Sequence, residues 1–328
     1  MNILVATNHL EKIGGTESYT YALVYELVKR GHNVEYFTFY KGEISDRIEA
    51  LGVKFRSRFF YDLILANHYT TVDHLYKRGY IIQTCHGTTI GVELPSSKAN
   101  YHVAISQEVH DYLLKKGFQN SIIYNGINCN RFYPQKSTST KLKKILSLCQ
   151  SEEANDLIKA ACQQLGISFQ KIDKYLDNVW DIENQINNAD LVIGIGRSLY
   201  DAMACGRPVI SFDCRSYSGN YGDGYLTPST IYQSLNYNCS GRHSKKSWTS
   251  STLIEEIRKY NANDGLFFRD FALSHLNIEH AVDQYLDLMP KHLILWRIKK
   301  LFVTIGRNIY WGIKVIFNSA TLPPKNQS

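Results

Sequence analysis

The stretch Val192 to Ile210, VIGIGRSLYDAMACGRPVI, reads as a buried strand, a glycine turn, a short helix and a second buried strand within nineteen residues. Two short, wholly apolar strands joined by a helix belong to a parallel sheet covered on both faces. The turn between them aims the amides of a helix N-terminus at a place where an anion is stabilised. Gly194 and Gly196 allow the backbone to come close to a ligand. Arg197 and Ser198 bring a charge and a hydroxyl to phosphate distance, and Asp201 follows where a ribose would sit.

The rest of the chain repeats this rhythm. A strand over Ile3 to Thr7 is expected to lead through a loop to a helix over Thr16 to Arg30, then to a strand over Asn33 to Thr38. DLILAN, YIIQT, HVAIS and SIIYN are further apolar runs separated by helical or loop segments. Residues 1–135 therefore form one Rossmann-like α/β domain. The polar run PQKSTSTKLKK (Pro134 to Lys144) interrupts the pattern and reads as a linker. Alternation resumes in KILSLC, EEANDLIKAACQQLG and DIENQINNA, so residues 136–288 form a second Rossmann-like domain. Between Cys214 and Ser251 the chain is rich in Tyr, Ser, Gly and Asn, and is expected to be a long loop over a site. Two doubly wound domains in tandem direct the carboxyl ends of their sheets toward a common cleft, where a two-substrate enzyme would hold donor and acceptor.

A chain of 328 residues is long enough for two cores. Its seven cysteines are scattered and without CxxC spacing, which argues for reduced thiols and against a zinc site. The N-terminus enters a strand directly, so a cytoplasmic location is expected. The net charge of +7 does not point to nucleic acid, because seven Lys/Arg and no Asp or Glu lie after Pro290. Over residues 289–328 the expectation is a basic amphipathic helix. Arg297, Lys300, Arg307 and Lys314 gather on one side, and Ile294, Ile298, Leu301, Phe302, Ile305 and Ile309 on the other. With Trp296 and Trp311 it suits the surface of an anionic membrane; packing against the first domain is the alternative.

Several residues stand where chemistry is expected. Gly14 and Gly15, before Thr16 and Glu17, occupy the first strand-to-helix turn, either as a close approach to a phosphate or sugar or as a plain turn with a Thr cap. His86 in QTCHGTT follows an apolar strand and should face the cleft; His68 in LANHY and His9 hold similar positions. Asn125-Gly126 reads as a turn that helps shape the hinge. No histidine pair has metal-ligand spacing and no DxD occurs, so no metal is expected to hold a diphosphate.

The motifs GGTE, TCHG, VAIS, YNGIN followed by FYP, and LYDAMACGRPVI occur in an order that resembles the retaining glycosyltransferases of group 1, or family 4, with their GT-B fold. The resemblance implies a nucleotide-sugar donor on the second domain and an acceptor, glycan or lipid-linked, on the first. It implies Gly14 and Gly15 at the donor phosphates, His86 as the catalytic residue near the transferred sugar, and the amides of Gly196 to Ser198 on the diphosphate, with no cofactor. Asp201 stands where the family has a ribose-binding glutamate. The sequence departs from that pattern at Ile193, which replaces the first of two glutamates eight positions apart. Cys149, Gln150 and Ser151 stand where a basic pair is expected, and Arg197 is the candidate to supply the lost charge. A membrane-associated glycosyltransferase on the inner membrane face is the implied function; a GT-B-like partner subunit without turnover is the alternative.

Overall fold

The computed structural model describes residues 1–172, 177, 179–215 and 220–290. The chain divides into a body, Met1–Asp287, and a terminal unit, Leu288–Ser328. The amphipathic helix expected after Pro290 lies outside the described residues.

The first half of the body runs β1 (Asn2–Ala6), α1 (Gly15–Lys29), β2 (Asn33–Phe37), α2 (Glu43–Ala50), β3 (Lys54–Phe55), β4 (Leu63–Ala66), α3 (Tyr69–Leu75), β5 (Tyr80–Cys85), β6 (Tyr101–Ala104), α4 (Gln107–Lys115) and β7 (Asn120–Ile122). Its seven strands are all parallel, in the order β3-β2-β1-β4-β5-β6-β7. Ile3, Leu4 and Val5, and Leu63, Ile64 and Leu65, are buried, as strands covered on both faces must be. Burying each such side chain contributes about 1.5–3 kcal/mol.

The second half runs β8 (Lys144–Ser147), α5 (Glu152–Leu165), β9 (Ser168–Lys171), α6 (Ile182–Asn187), β10 (Leu191–Gly194), α7 (Arg197–Ala204), β11 (Val209–Phe212), β12 (Gly222–Tyr225), α8 (Ile231–Leu235), α9 (Ser250–Ile257), α10 (Asp264–Phe271) and α11 (Ile278–Asp287). Its sheet has the order β12-β11-β10-β8-β9, parallel except for the antiparallel edge strand β12. The stretch from Cys214 to Ser251 is thus no plain loop. Tyr225 and Leu226 need burial, and β12 and α8 provide it.

Three further expectations change. The polar run after Pro134 is pinned rather than free: the Asp190 carboxylate accepts the amides of Ser139, Lys143 and Lys144 at 2.9–3.0 Å. Asn125-Gly126 is not a turn but extended chain, because Ile127 bridges Asn277 on the return crossing between the two halves. Ile127 N donates to Leu276 O at 2.7 Å, and Ile278 N to Ile127 O at 2.9 Å. Glycine is required at 126 since a Cβ there would lie 2.7 Å from the Ile278 Cα. The two segments that join the halves are therefore bonded side by side at this bridge. Thr16 does not cap α1 either; the N-cap position is Gly14, and the helix begins at Gly15. Finally, α11 returns to the first half, where the Tyr19 hydroxyl donates to the Tyr285 hydroxyl at 2.8 Å and Thr84 Oγ1 meets the latter at 2.7 Å.

Candidate active site in the cleft

A doubly wound sheet opens a crevice at its carboxyl edge where successive connections leave in opposite directions. In the first sheet this point lies between β1 and β4, and in the second between β8 and β10. The loops after these strands carry His9, Gly14 and His68 on one side and Gln150, Gly196 and Arg197 on the other. Two adjoining hollows lie there and share Gly14, Gly15, Gln150, Arg197 and Ser198. One has about 1030 Å³ of open space and is mainly apolar, with Tyr21, Phe132, Leu148, Ile172, Trp180 and Ile182 beside Arg131 and Asp201. The other, about 1430 Å³, is polar, with His9, Thr16, Glu17, His86, Glu93, Asn125, Arg215 and Arg242.

On the second-half wall, Gly196 takes φ 58°, ψ −130°, which a side chain would strain, and so starts α7 sharply. Its amide donates to Cys239 O at 3.2 Å. The amides of Arg197 and Ser198, at the first turn, have no partner among the described residues. Arg197 Nη1 donates to Gly126 O at 3.0 Å and Nη2 lies 3.9 Å from Asp201 Oδ1, too far for a hydrogen bond. Arg197 Nε and Asp201 Oδ1 are buried without partners. Burial lowers the Arg197 pKa, and burial pushes the Asp201 carboxyl up to about 6 against the pull of Arg197 and Arg131.

The missing basic pair has a structural counterpart. Cys149 is in the core, and Ser151 caps α5 by accepting from Ala154 N at 3.4 Å. The Asp213 carboxylate accepts the amides of Gln150 and Ser151 at 3.2 and 3.3 Å and the Arg215 Nε at 2.6 Å. The α5 N-terminus is therefore already occupied by an anion from within the protein. Ile193 is fully buried in the sheet core.

The first-half wall is knitted together. Asn8 N donates to His68 Nδ1 at 3.0 Å, and burial lowers the His68 pKa to about 4. His68 is 2% exposed and lines neither hollow, so the structure places it as a brace between β1 and β4. Asn67 Nδ2 donates to Thr20 Oγ1 at 2.8 Å, which leaves Asn67 Oδ1 to accept from His86 Nε2 at 3.2 Å. Burial drives the His86 pKa to about 3, with His68 and Arg197 adding to the effect. His86 is thus a neutral ring with Nδ1 left as an acceptor, suited to hydrogen bonding rather than to taking a proton at neutral pH. The Glu17 carboxylate meets His9 Nε2 at 3.0 Å, and that bond raises the His9 pKa.

Residue patterns missed several groups. Trp180 is flanked by the guanidinium carbons of Arg47 at 4.2 Å and Arg131 at 4.3 Å, with the Tyr21 ring edge-on at 4.9 Å. Glu108 and Arg242 pair across the cleft, with Nε to Oε1 at 2.9 Å. Asp213 alone carried a signal, a carboxylate at the end of an apolar strand. The others lie far apart in sequence. Among the described residues no cluster of His, Cys, Asp and Glu has metal-site geometry, and no helix is long and apolar enough to cross a membrane.

Two parallel-sheet domains that face one another across a cleft, joined by a double crossing, constitute the GT-B fold. The chain is similar to HepE of Anabaena, solved with UDP and glucose, at 16% identity and a TM-score of 0.57 over 88% of this chain and 98% of that one. It is similar to an α-glucosyltransferase solved with UDP and a 13-mer DNA, at 11% identity and a TM-score of 0.51 over 88% and 99% of the two chains. MurG of Acinetobacter baumannii gives 10% identity and a TM-score of 0.50 over 88% and 99%. At such identities the likeness is one of fold. No protein-family model matches the sequence, and no curated protein matches it.

Proposed function

We propose that this protein is a retaining, metal-independent glycosyltransferase that moves a sugar from a nucleoside diphosphate to an acceptor glycan or lipid-linked glycan. The observation that carries the reading is the open corner of α7, where two unpartnered amides adjoin a buried, unpartnered Asp201 oxygen. Amides and Arg197 suit a diphosphate, and Asp201 Oδ1 suits a ribose hydroxyl. The apolar hollow with Leu148 and Ile172 then takes the base, and the polar hollow with His86 takes the sugar. The UDP held by HepE and by the α-glucosyltransferase supports a uridine nucleotide as the first to try.

In this reaction the bond from the sugar C1 to the β-phosphate oxygen breaks and its electron pair leaves with the phosphate. The acceptor oxygen bonds to C1 on the same face and gives its proton to the departing phosphate. The developing charge is met by the α7 amides and Arg197, which are fixed in place before the reaction. His86 contributes a hydrogen-bond acceptor to a sugar hydroxyl. The basic segment after Pro290 would seat the enzyme on the anionic inner face of a membrane.

A binding subunit without turnover is favoured by one observation, the loss of a carboxylate at Ile193 to the sheet core. The deciding experiment is thermal stabilisation by UDP, GDP, ADP and their sugar conjugates, with Asp201→Ala as control, followed by donor hydrolysis. Stabilisation by one nucleotide family, lost in the control, together with donor turnover, supports the transferase. Binding without turnover supports a binding subunit, and no stabilisation by any nucleotide in a folded sample removes the transferase and leaves a partner subunit.

A further inference from the structure

The polar hollow has walls of opposite charge. Its acids, Glu17 on α1, Glu93 and Glu108 on α4, all come from the first half, and its arginines, Arg197, Arg215 and Arg242, all come from the second. No carboxylate of the second half lines this hollow among the described residues. Two of the three acids are already engaged, Glu17 by His9 and Glu108 by Arg242. Glu93 is not: no hydrogen bond or ion pair among the described residues reaches its carboxyl.

Glu93 closes the short 3₁₀ turn Gly91–Glu93, which folds the chain back after β5. Its carboxyl lies against Gly87, so closely that a Cβ on Gly87 would collide with Oε2. That places the acid beside His86, in the same hollow as the start of α7.

We infer that Glu93 is the residue that binds a hydroxyl of the donor sugar, reaching across the cleft to do what no carboxylate of the second half does. The inference rests on the proposed function and deepens it. A diphosphate at the α7 corner puts its sugar into this hollow, where Arg197 suits the phosphates rather than a neutral sugar. His86 and Glu93 line the same hollow, so each offers an acceptor to a hydroxyl of that sugar. The groups facing Glu93 are Glu17 from α1, Arg242 from the loop after α8, and Cys85 and His86 at the end of β5. Burial, reinforced by Glu17 and opposed by Arg242, raises the Glu93 pKa to about 7. The carboxylate is the better acceptor, so sugar binding should strengthen as pH rises through that value.

The test compares UDP with UDP-glucose, UDP-galactose and UDP-N-acetylglucosamine by calorimetry, using GDP and ADP pairs where those bind. In Glu93→Gln the affinity ratio of nucleotide sugar to nucleotide should fall about tenfold while UDP affinity stays the same. Glu93→Asp, with the acid drawn back, should lose part of the ratio. Between pH 6 and pH 8, about one unit either side of that pKa, the wild-type ratio should climb relative to that of Glu93→Gln, in which only the titration of the UDP phosphate remains. An unchanged ratio in Glu93→Gln, equal loss of UDP and UDP-sugar, or the same pH dependence of the ratio in wild type and Glu93→Gln overturns the inference and leaves the proposed function standing. Failure of the wild type to bind any nucleotide overturns both.

Discussion

The two walls of the cleft treat their polar groups differently. On the first-half wall, Asn8, His68, Asn67, Thr20, His86, His9 and Glu17 form chains of hydrogen bonds among themselves. On the second-half wall, the α7 amides, Arg197 Nε and Asp201 Oδ1 have no hydrogen-bond partner among the described residues. A buried polar group left unmatched costs about 1–3 kcal/mol, so such groups persist where a ligand completes them. The first wall is thus a closed network around His68 and His86 that leaves Glu93 and Asn125 Oδ1 open, while the corner of α7 is completed by an anion and a hydroxyl.

The largest effects are expected at the α7 corner itself. Gly196→Ala should cost about 1–3 kcal/mol of stability because of its φ of 58°. It should also weaken UDP binding about a hundredfold, the equivalent of roughly 3 kcal/mol, by turning the α7 amides away. Urea unfolding and calorimetry read the two effects separately; normal binding would show that this corner is not the anion site. Arg197→Ala should weaken UDP about tenfold to a hundredfold and leave uridine unaffected, since a hydrogen bond to a charged group is worth about 1.5–3 kcal/mol. Equal loss of both would mean that Arg197 supports the hinge through Gly126 rather than the diphosphate. The smallest effect belongs to the first wall. With its pKa near 3, His86 stays neutral from pH 5 to pH 9. His86→Gln should therefore lower donor turnover without moving any inflection in its pH profile. An inflection near pH 6.5 that vanishes in His86→Gln would show a titrating imidazole and a wall less closed than its hydrogen bonds indicate.

Much of this was legible from local pattern. The GIGRS turn showed the strand, the helix start and the exposed amides, because strand burial and helix termini depend on neighbours in sequence. The positions of Gly14 and Gly15 after β1, and of His86 after β5, followed from the carboxyl-end rule. Asn125-Gly126 misled, since the dipeptide favours a turn locally, yet Ile127 pairs with Asn277, 150 residues away by number. The Thr cap at Thr16 also failed: the chain enters α1 one residue earlier, with Gly14 at the cap position. Glu93, Trp180, Arg131 and Arg242 gave no signal, because an acid or aromatic in a connecting segment is ordinary until the fold shows what it faces.

Two parallel α/β sheets and the turn that opens α7 follow from local sequence, since apolar runs, helix length and glycine placement act within some twenty residues. Only the tertiary structure decided which polar groups are satisfied. It turned Asp213 onto the amides of Gln150 and Ser151, buried Ile193, locked His86 as a neutral ring and left the Glu93 carboxyl and Asp201 Oδ1 without a hydrogen bond among the described residues. The reason is physical: hydrogen bonding and desolvation depend on distances of a few ångströms between segments that are far apart along the chain.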